Sequence, residues 1–315
     1  MKKYAFCIPS SDDFALPTAV LIYSLERNFK FYEDCDVIIP YNNLSEAGRT
    51  IIRKAAPNAI FKKPKDPSFY EIIPGTFYGK ENYDVYLSFE AFSQEGYEKT
   101  IYLDADMICI KDFSDAMQNS HDVVWKNPNL GIVIVDKKCV PDAYYSLINL
   151  VRTTAYIRND TGGDQKAVRA MFGQQSSRVK FLSNDYNFQD WGGGGKGSNA
   201  NFLKHKSTIK IIHYSGARKP WGSTWDGNKY NKNSIKYPYL MWHCEAVRIW
   251  HEYYEDFKNT RFAGTMGMPL SPFEQYELKK NVFLKDTPGS VDGLKKIEEK
   301  YLFLRDNHGD KGDLE

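Results

Sequence analysis

Along the amino-terminal part of this 315-residue chain, short continuous apolar runs alternate with segments of helical character. YAFCIP (4–9), DVIIPY (36–41), AIF (59–61) and TIYL (100–103) read as strands. PTAVLIYSLERNF (17–29) reads as a helix with Pro17 in its first turn, and SEAGRTIIRKAA (45–56) as one opened by Ser45 and closed before Pro57. NYDVYLSFEAFSQ (82–94) reads as a third helix with a broad aromatic face. Apolar runs that do not alternate with polar residues belong to strands buried on both faces. The expectation is therefore an α/β fold with a largely parallel sheet covered by helices on both sides.

Beyond Asp112 the pattern is mixed. DVVW (122–125), GIVIVD (131–136) and TIKIIHY (208–214) read as strands, and PDAYYSLINLVR (141–152) and DQKAVRAMF (164–172) as helices. NDYNFQDWGGGGKGSNAN (184–201) is a loop by composition, YPYLMWHCEAVRIWHEYYEDF (237–257) an aromatic-rich helix, and VDGLKKIEEKYLFL (291–304) an amphipathic segment. These divide the chain into a catalytic-sized domain over 1–262 and a carboxyl-terminal extension over 263–315 with one helix. There is no internal repeat.

Composition removes several classes. The net charge of +2 comes without a basic block, so no nucleic-acid footprint is expected. The five cysteines are widely spaced with no C-x-x-C pair, which excludes a zinc ribbon and a disulfide framework and suits a reducing, cytoplasmic setting. No apolar stretch reaches the roughly 20 residues that span a bilayer, and MKKYAFCIP reads as a strand rather than a signal peptide. The aromatic helix around Trp242 and Trp250 reads as core, with peripheral membrane contact as the minor reading. GGGGKG (192–197) follows a polar loop rather than a strand, so it reads as a loop that orders over substrates and not as a dinucleotide fingerprint.

In parallel sheets, ligands bind beyond the carboxyl ends of strands. Two acidic clusters fall there: SSDD (10–13) and DAD (104–106). A second D-x-D, at Asp34 and Asp36, precedes its strand and lies at the wrong end. Two carboxylates one residue apart can hold a hard divalent cation with positions left open for a diphosphate; they are equally consistent with a solvated, aspartate-capped turn. Downstream, IKIIHYSGARKPW (209–221) ends a strand with His213, followed by Gly216 and Lys219. Imidazole suits Mn²⁺, a glycine lets backbone approach phosphate, and a lysine pairs with phosphate charge.

YLDADMIC together with HYSGARKPW resembles the retaining glycosyltransferases of family 8, over about Tyr4 to Phe257. The resemblance implies a GT-A fold, a Rossmann-like mixed sheet flanked by helices. It implies Mn²⁺ (or Mg²⁺) on Asp104, Asp106 and His213, with Ala105 between the aspartates at the UDP-sugar. Gly216 and Lys219 would meet the diphosphate. Asp12, Asp13, Ser10 and Ser11 would line the uracil pocket. Asn129, backed by Gly131, would contact the donor sugar. Asp164 would hydrogen-bond sugar hydroxyls and Gln165 would sit beside the anomeric carbon. DYN (185–187) matches a further family feature at Tyr186 and Asn187. One departure stands out: where the family commonly has an Arg or Lys, this chain has Tyr86 or Ser88, so either the charge would come from elsewhere, Lys80 or Arg218, or the donor would be handled differently.

The implied activity is Mn-dependent, retaining transfer of glucose or galactose from a UDP-sugar to a hydroxyl of a saccharide, lipid-linked or protein acceptor. The alternatives are a metal-dependent nucleotidyltransferase and a catalytically silent nucleotide-sugar-binding protein.

Overall fold

The computed structural model describes residues 2–72, 75–77, 80–82, 84–158, 162–173, 177–190, 199–216, 219–221 and 244–262. The expected extension at 263–315, the glycine loop at 192–197 and Arg218 lie outside the described residues. The chain forms two compact units: Met1–Phe188 with Thr208–His213, and Gln189–Ser207 with Tyr214–Glu315.

The first unit is α/β, as expected. β1 (Tyr4–Cys7), β2 (Cys35–Pro40), β3 (Ile60–Lys62), β6 (Lys99–Leu103), β8 (Val123–Trp125), β9 (Ile132–Asp136) and β10 (Val179–Phe181) form one seven-stranded sheet in the order β10-β8-β9-β6-β1-β2-β3. β1 pairs parallel with β2 and β6, β2 with β3, and β8 with β10. β9 runs antiparallel to both its neighbours. β4 (Gly75–Phe77) and β5 (Lys80–Asn82) pair with each other, as do β7 (Met107–Cys109) and β11 (Ile211–His213), both antiparallel. The run expected as one strand over 208–214 is thus the short β11, outside the main sheet.

α1 (Ala15–Asn28) explains its apolar run by burying almost every residue from Ala15 to Leu25. Its buried Ser24 accepts the Cys109 N–H through Oγ at 2.9 Å, and Asn28 donates to the Cys109 carbonyl at 3.0 Å. These side chains occupy one edge of β7 while β11 occupies the other, so β7 is fixed directly after the DAD triplet. α2 (Glu46–Ala55) begins where expected: Ser45 Oγ accepts the Gly48 N–H at 3.1 Å, a cap worth about 1 kcal/mol. α4 (Asp142–Thr153), α5 (Ala155–Arg158) and α6 (Gly163–Phe172) follow α3 (Pro67–Ile72) in this unit.

The expected helix over 82–94 is instead a 3-10 segment, Val85–Ser93. Residues 86–93 are all buried, so the segment has no solvent face of the kind an amphipathic α-helix presents. Its central Glu90 is a buried carboxylate fully engaged by its surroundings: Tyr70 OH at 2.9 Å, Tyr144 OH at 3.1 Å, Ser93 Oγ at 2.9 Å and the Lys65 N–H at 3.2 Å all donate to it. Even so, burial holds its pKa above the usual carboxylate range. Tertiary hydrogen bonds, rather than helical periodicity, set this backbone.

In the second unit, α7 (Asn199–His205) and α8 (Glu245–Arg261) are joined by Asn199 Oδ1, which accepts the Glu245 N–H at 2.9 Å. Trp250 stacks on Tyr254 at 5.5 Å and lies 5.4 Å from Trp221. Of the aromatic residues of this helix, Trp250, Tyr254 and Phe257 are core and Tyr253 is half-buried, while Trp242 lies outside the described residues. Among the described residues no helix is long and apolar enough to cross a membrane. All five cysteines are buried and none is in a disulfide.

Candidate metal and donor-binding site

Two antiparallel pairings build the centre of the site. β6 ends at Leu103, which lies opposite Ile132, so the start of the reversed strand β9 arrives at the carboxyl end of β6. The Asp104 N–H donates to the Gly131 carbonyl at 2.9 Å, extending that ladder by one bond. In the second pairing, His213 lies opposite Met107, the residue after Asp106. Ligand atoms of Asp104, Asp106 and His213 all fall within 4.8 Å of one another. His213 Nε2 is 3.0 Å from Asp106 Oδ1 and 3.5 Å from Asp104 Oδ2. The His213 side chain is 3% exposed, while those of Asp106 and Asp104 are 13% and 31% exposed, so the cluster opens toward Asp104.

Asp104 and His213 are each oriented by a neighbour. Tyr102 OH donates to Asp104 Oδ1. These two residues are i and i+2, on one face of an extended chain. Burial and the Asp104 charge push the Tyr102 pKa well up, so it stays a donor. His213 Nδ1 meets Asn187 Oδ1 at 2.8 Å, and Asn187 Nδ2 donates to Asn129 Oδ1 at 2.8 Å. Gly131 is pressed against this group: a Cβ there would fall 2.5 Å from His213 Nδ1. The donor set of two carboxylates and one buried imidazole fits a divalent cation of the Mn²⁺ type.

Asp164 lies in the first turn of α6 and is buried. It accepts Ser88 Oγ at 3.1 Å and the backbone N–H groups of the helix start. Burial first, and then the charge of Asp104, raise its pKa to about 7. That mutual repulsion sets Asp164 in the electrostatic field of the Asp104–Asp106–His213 group. Gly162, at φ 75°, turns the chain into α6, and the Gln165 side chain folds back over it.

Tyr86 is fully buried beside Phe69 and Phe89, and its OH has no hydrogen-bond partner among the described residues. It abuts Gly163, where a Cβ would fall 2.5 Å from the hydroxyl. At the place of the expected cation, then, Ser88 touches Asp164 and Tyr86 packs beside it.

Ser10 Oγ shares a hydrogen bond with Thr18 Oγ1 at 2.9 Å and is buried. Asp12 Oδ1 accepts both the N–H and the Oγ of Ser45, at 2.9 and 2.7 Å, tying the turn after β1 to the start of α2. Asp12 and Asp13 are exposed and Ser11 is half-buried. The rejected D-x-D is structural: Asp36 Oδ2 accepts Tyr97 OH at 3.0 Å and the Lys2 N–H at 3.1 Å. In the second unit, Gly216 adopts φ 93°, and buried Lys219 donates to the Tyr214 carbonyl at 2.6 Å.

The resemblance noted in the motifs is matched by direct comparison. Residues 138–225 match the model of the family described as glycosyl transferase family 8. That segment holds Asp164, Gln165, Asn187, His213 and Lys219 but not the DAD triplet, which the fold supplies. No curated protein matches the chain. The structure is similar to the galactosyltransferase LgtC in complex with donor and acceptor sugar analogues, at 13% identity and TM-score 0.58, covering 84% of this chain and 97% of that one. It is also similar to the apo bifunctional glycosyltransferase WbbM, at 17% identity and TM-score 0.54 over 80% of this chain, and spans only 52% of that protein. A third likeness, to the glycosyltransferase GlyE of Streptococcus pneumoniae TIGR4, has 17% identity and TM-score 0.54 over 85% of this chain and 65% of that one. The fold is that of the GT-A glycosyltransferases.

Proposed function

We propose that this chain is a retaining hexosyltransferase that moves glucose or galactose from a UDP-sugar to a hydroxyl of a saccharide, lipid-linked or protein acceptor. The observation that carries the reading is the convergence of Asp104, Asp106 and His213 at the carboxyl end of β6, beside the buried Asp164. These three residues would hold Mn²⁺ or Mg²⁺. Such an ion, when bound, offsets the charge that develops on a departing diphosphate.

The remaining roles fall to this chain's own groups. Asp12, Asp13, Ser10 and Ser11 meet the uracil. Gly216 and Lys219 meet the diphosphate. Asp164 accepts hydrogen bonds from donor-sugar hydroxyls, and Gln165 stands beside the anomeric carbon. The bond from the anomeric carbon to the phosphate oxygen breaks, and the acceptor oxygen bonds to that carbon on the same face. The acceptor proton passes to the departing phosphate. Holding the acceptor hydroxyl next to the leaving group supplies much of the rate. The five buried cysteines, with no disulfide among them, favour a cytoplasmic setting.

A panel of UDP-sugars with Mn²⁺, read as UDP release with and without acceptor and run beside Asp106→Ala, tests the proposal. UDP release lost in the variant supports it. Release of sugar 1-phosphate in place of UDP, or of pyrophosphate when UTP and a sugar 1-phosphate are supplied instead, would establish nucleotidyl transfer, and donor binding without any turnover would establish a silent binding protein.

A further inference from the structure

Two side chains outside the metal triad, Asn129 and Asn187, form a directional relay that ends on His213. Its fixed end is a backbone amide, which can only donate: the Gly131 N–H donates to Asn129 Oδ1 at 2.8 Å. That contact settles which atom of the Asn129 amide is the oxygen. The group facing the same oxygen at 2.8 Å must also be a donor, so it is Asn187 Nδ2. Asn187 Oδ1 therefore faces His213 Nδ1, at 2.8 Å, and the imidazole must carry a proton there. Nε2 is left as the nitrogen directed at Asp106 and Asp104, at 3.0 and 3.5 Å. A lone pair facing two carboxylates is repelled unless a cation, either a proton or a metal ion, stands among them.

We infer that Asn187 and Asn129 are positioning residues for the metal site: they fix the His213 tautomer and ring plane so that Nε2 is the metal-ligating atom. The inference rests on the metal reading of the triad given above. Asn187 is 1% exposed and spans the His213 strand and the turn before β9, so it bridges the two chain reversals that assemble the site. Asn129, assigned to the donor sugar by resemblance, acts in this account through Asn187 and His213. The Gly131 position explains itself in the same way: any side chain there enters the space of the His213 ring. Outer partners of metal-bound histidines commonly change metal affinity by roughly 10–100-fold when removed.

Two readouts test this separately from turnover. The first is the ¹⁵N-histidine spectrum of the metal-free protein, which reports which ring nitrogens carry a proton. The relay requires the His213 proton on Nδ1, with the signal assigned by its loss in His213→Ala. A proton on Nε2 with none on Nδ1 overturns the inference. The second is Mn²⁺ binding followed by electron paramagnetic resonance. Asn187→Leu, of similar volume but without an acceptor, should weaken binding roughly 10–100-fold. Asn129→Asp keeps an acceptor for both donors and should leave the tautomer in place, whereas Asn129→Leu should scramble it. Wild-type affinity in Asn187→Leu, with the melting temperature retained, would reduce Asn187 to packing and overturn the inference. If wild-type protein binds no Mn²⁺ that Asp106→Ala abolishes, the metal reading itself fails, while the tautomer result still judges the relay.

Discussion

His213 Nε2 lies 3.0 Å from Asp106 Oδ1 because β11 and β7 pair antiparallel and set His213 opposite Met107. The third ligand of the proposed site is thus delivered by a two-stranded ladder whose other strand directly follows the DAD triplet. His213→Ala should lower Mn²⁺-dependent UDP release about as much as Asp106→Ala, by roughly 10²–10³-fold. The double variant should be hardly worse than either single one, since residues that act as a unit lose their function together. Additive losses in the kinetic assay would show that the two residues serve separate steps.

Gly131→Ala should disable the site from behind. The added Cβ would lie 2.5 Å from His213 Nδ1 and 2.9 Å from Asn129 Oδ1, and Gly131 is itself held by bonds through both its N–H and its carbonyl. Overpacking of this kind costs about 1–3 kcal/mol. Urea unfolding should register that loss, and Mn²⁺ titration should show a larger effect than stability alone explains, because the ring that moves is the metal ligand.

Much of this site is legible in the primary structure, for identifiable reasons. The continuous apolar run of β6 marks its carboxyl end, which separates Asp104 and Asp106 from Asp34 and Asp36. Ser45 announces α2 because an N-cap is a local hydrogen bond. The reversal of β9 is not legible: a strand buried on both faces has the same apolar run whether it lies parallel or antiparallel to its neighbours. β7 directly continues the apolar run of β6 past the DAD triplet, and the VKF of β10 has no apolar run longer than one residue, so neither stands out as a separate strand. The segment Val85–Ser93 reads as an α-helix because its order comes from distant partners of Glu90. Tyr102, which orients Asp104, could have been found from the i, i+2 alternation of an extended strand.

Ser88 and Tyr86 stand two residues apart and should respond oppositely to loss of a hydroxyl. Ser88 Oγ donates to the buried carboxylate of Asp164, whereas the Tyr86 OH is buried without a partner among the described residues. Ser88→Ala leaves Asp164 short of a donor and should cost about 1–3 kcal/mol in stability. It should also lower turnover, because the Asp164 pKa would rise further. Tyr86→Phe removes an unsatisfied polar group and should be neutral or stabilising by up to about 1 kcal/mol. Denaturant unfolding and UDP release, measured on both variants, check the contrast. A Tyr86→Phe enzyme that folds normally but loses donor binding would instead place that hydroxyl on the sugar.

Acid should destabilise the protein in part through His251. This side chain in α8 is 8% exposed, packs edge-on against Trp250 at 5.2 Å and hydrogen-bonds to the Pro220 backbone. Burial lowers its pKa from 6.5 to about 4, with the Pro220 contact opposing the shift. The unfolded chain therefore takes up a proton near pH 6.5 that the folded chain refuses until about pH 4. Stability from this group is fully present above pH 6.5 and declines as the pH falls through that interval. The full loss comes to ~3 kcal/mol at about 1.4 kcal/mol per pH unit. Unfolding free energies of wild type and His251→Gln, measured between pH 7.5 and roughly 4, should converge on acidification, because the variant lacks the proton uptake. Parallel curves for the two proteins would mean that His251 does not titrate differently on folding.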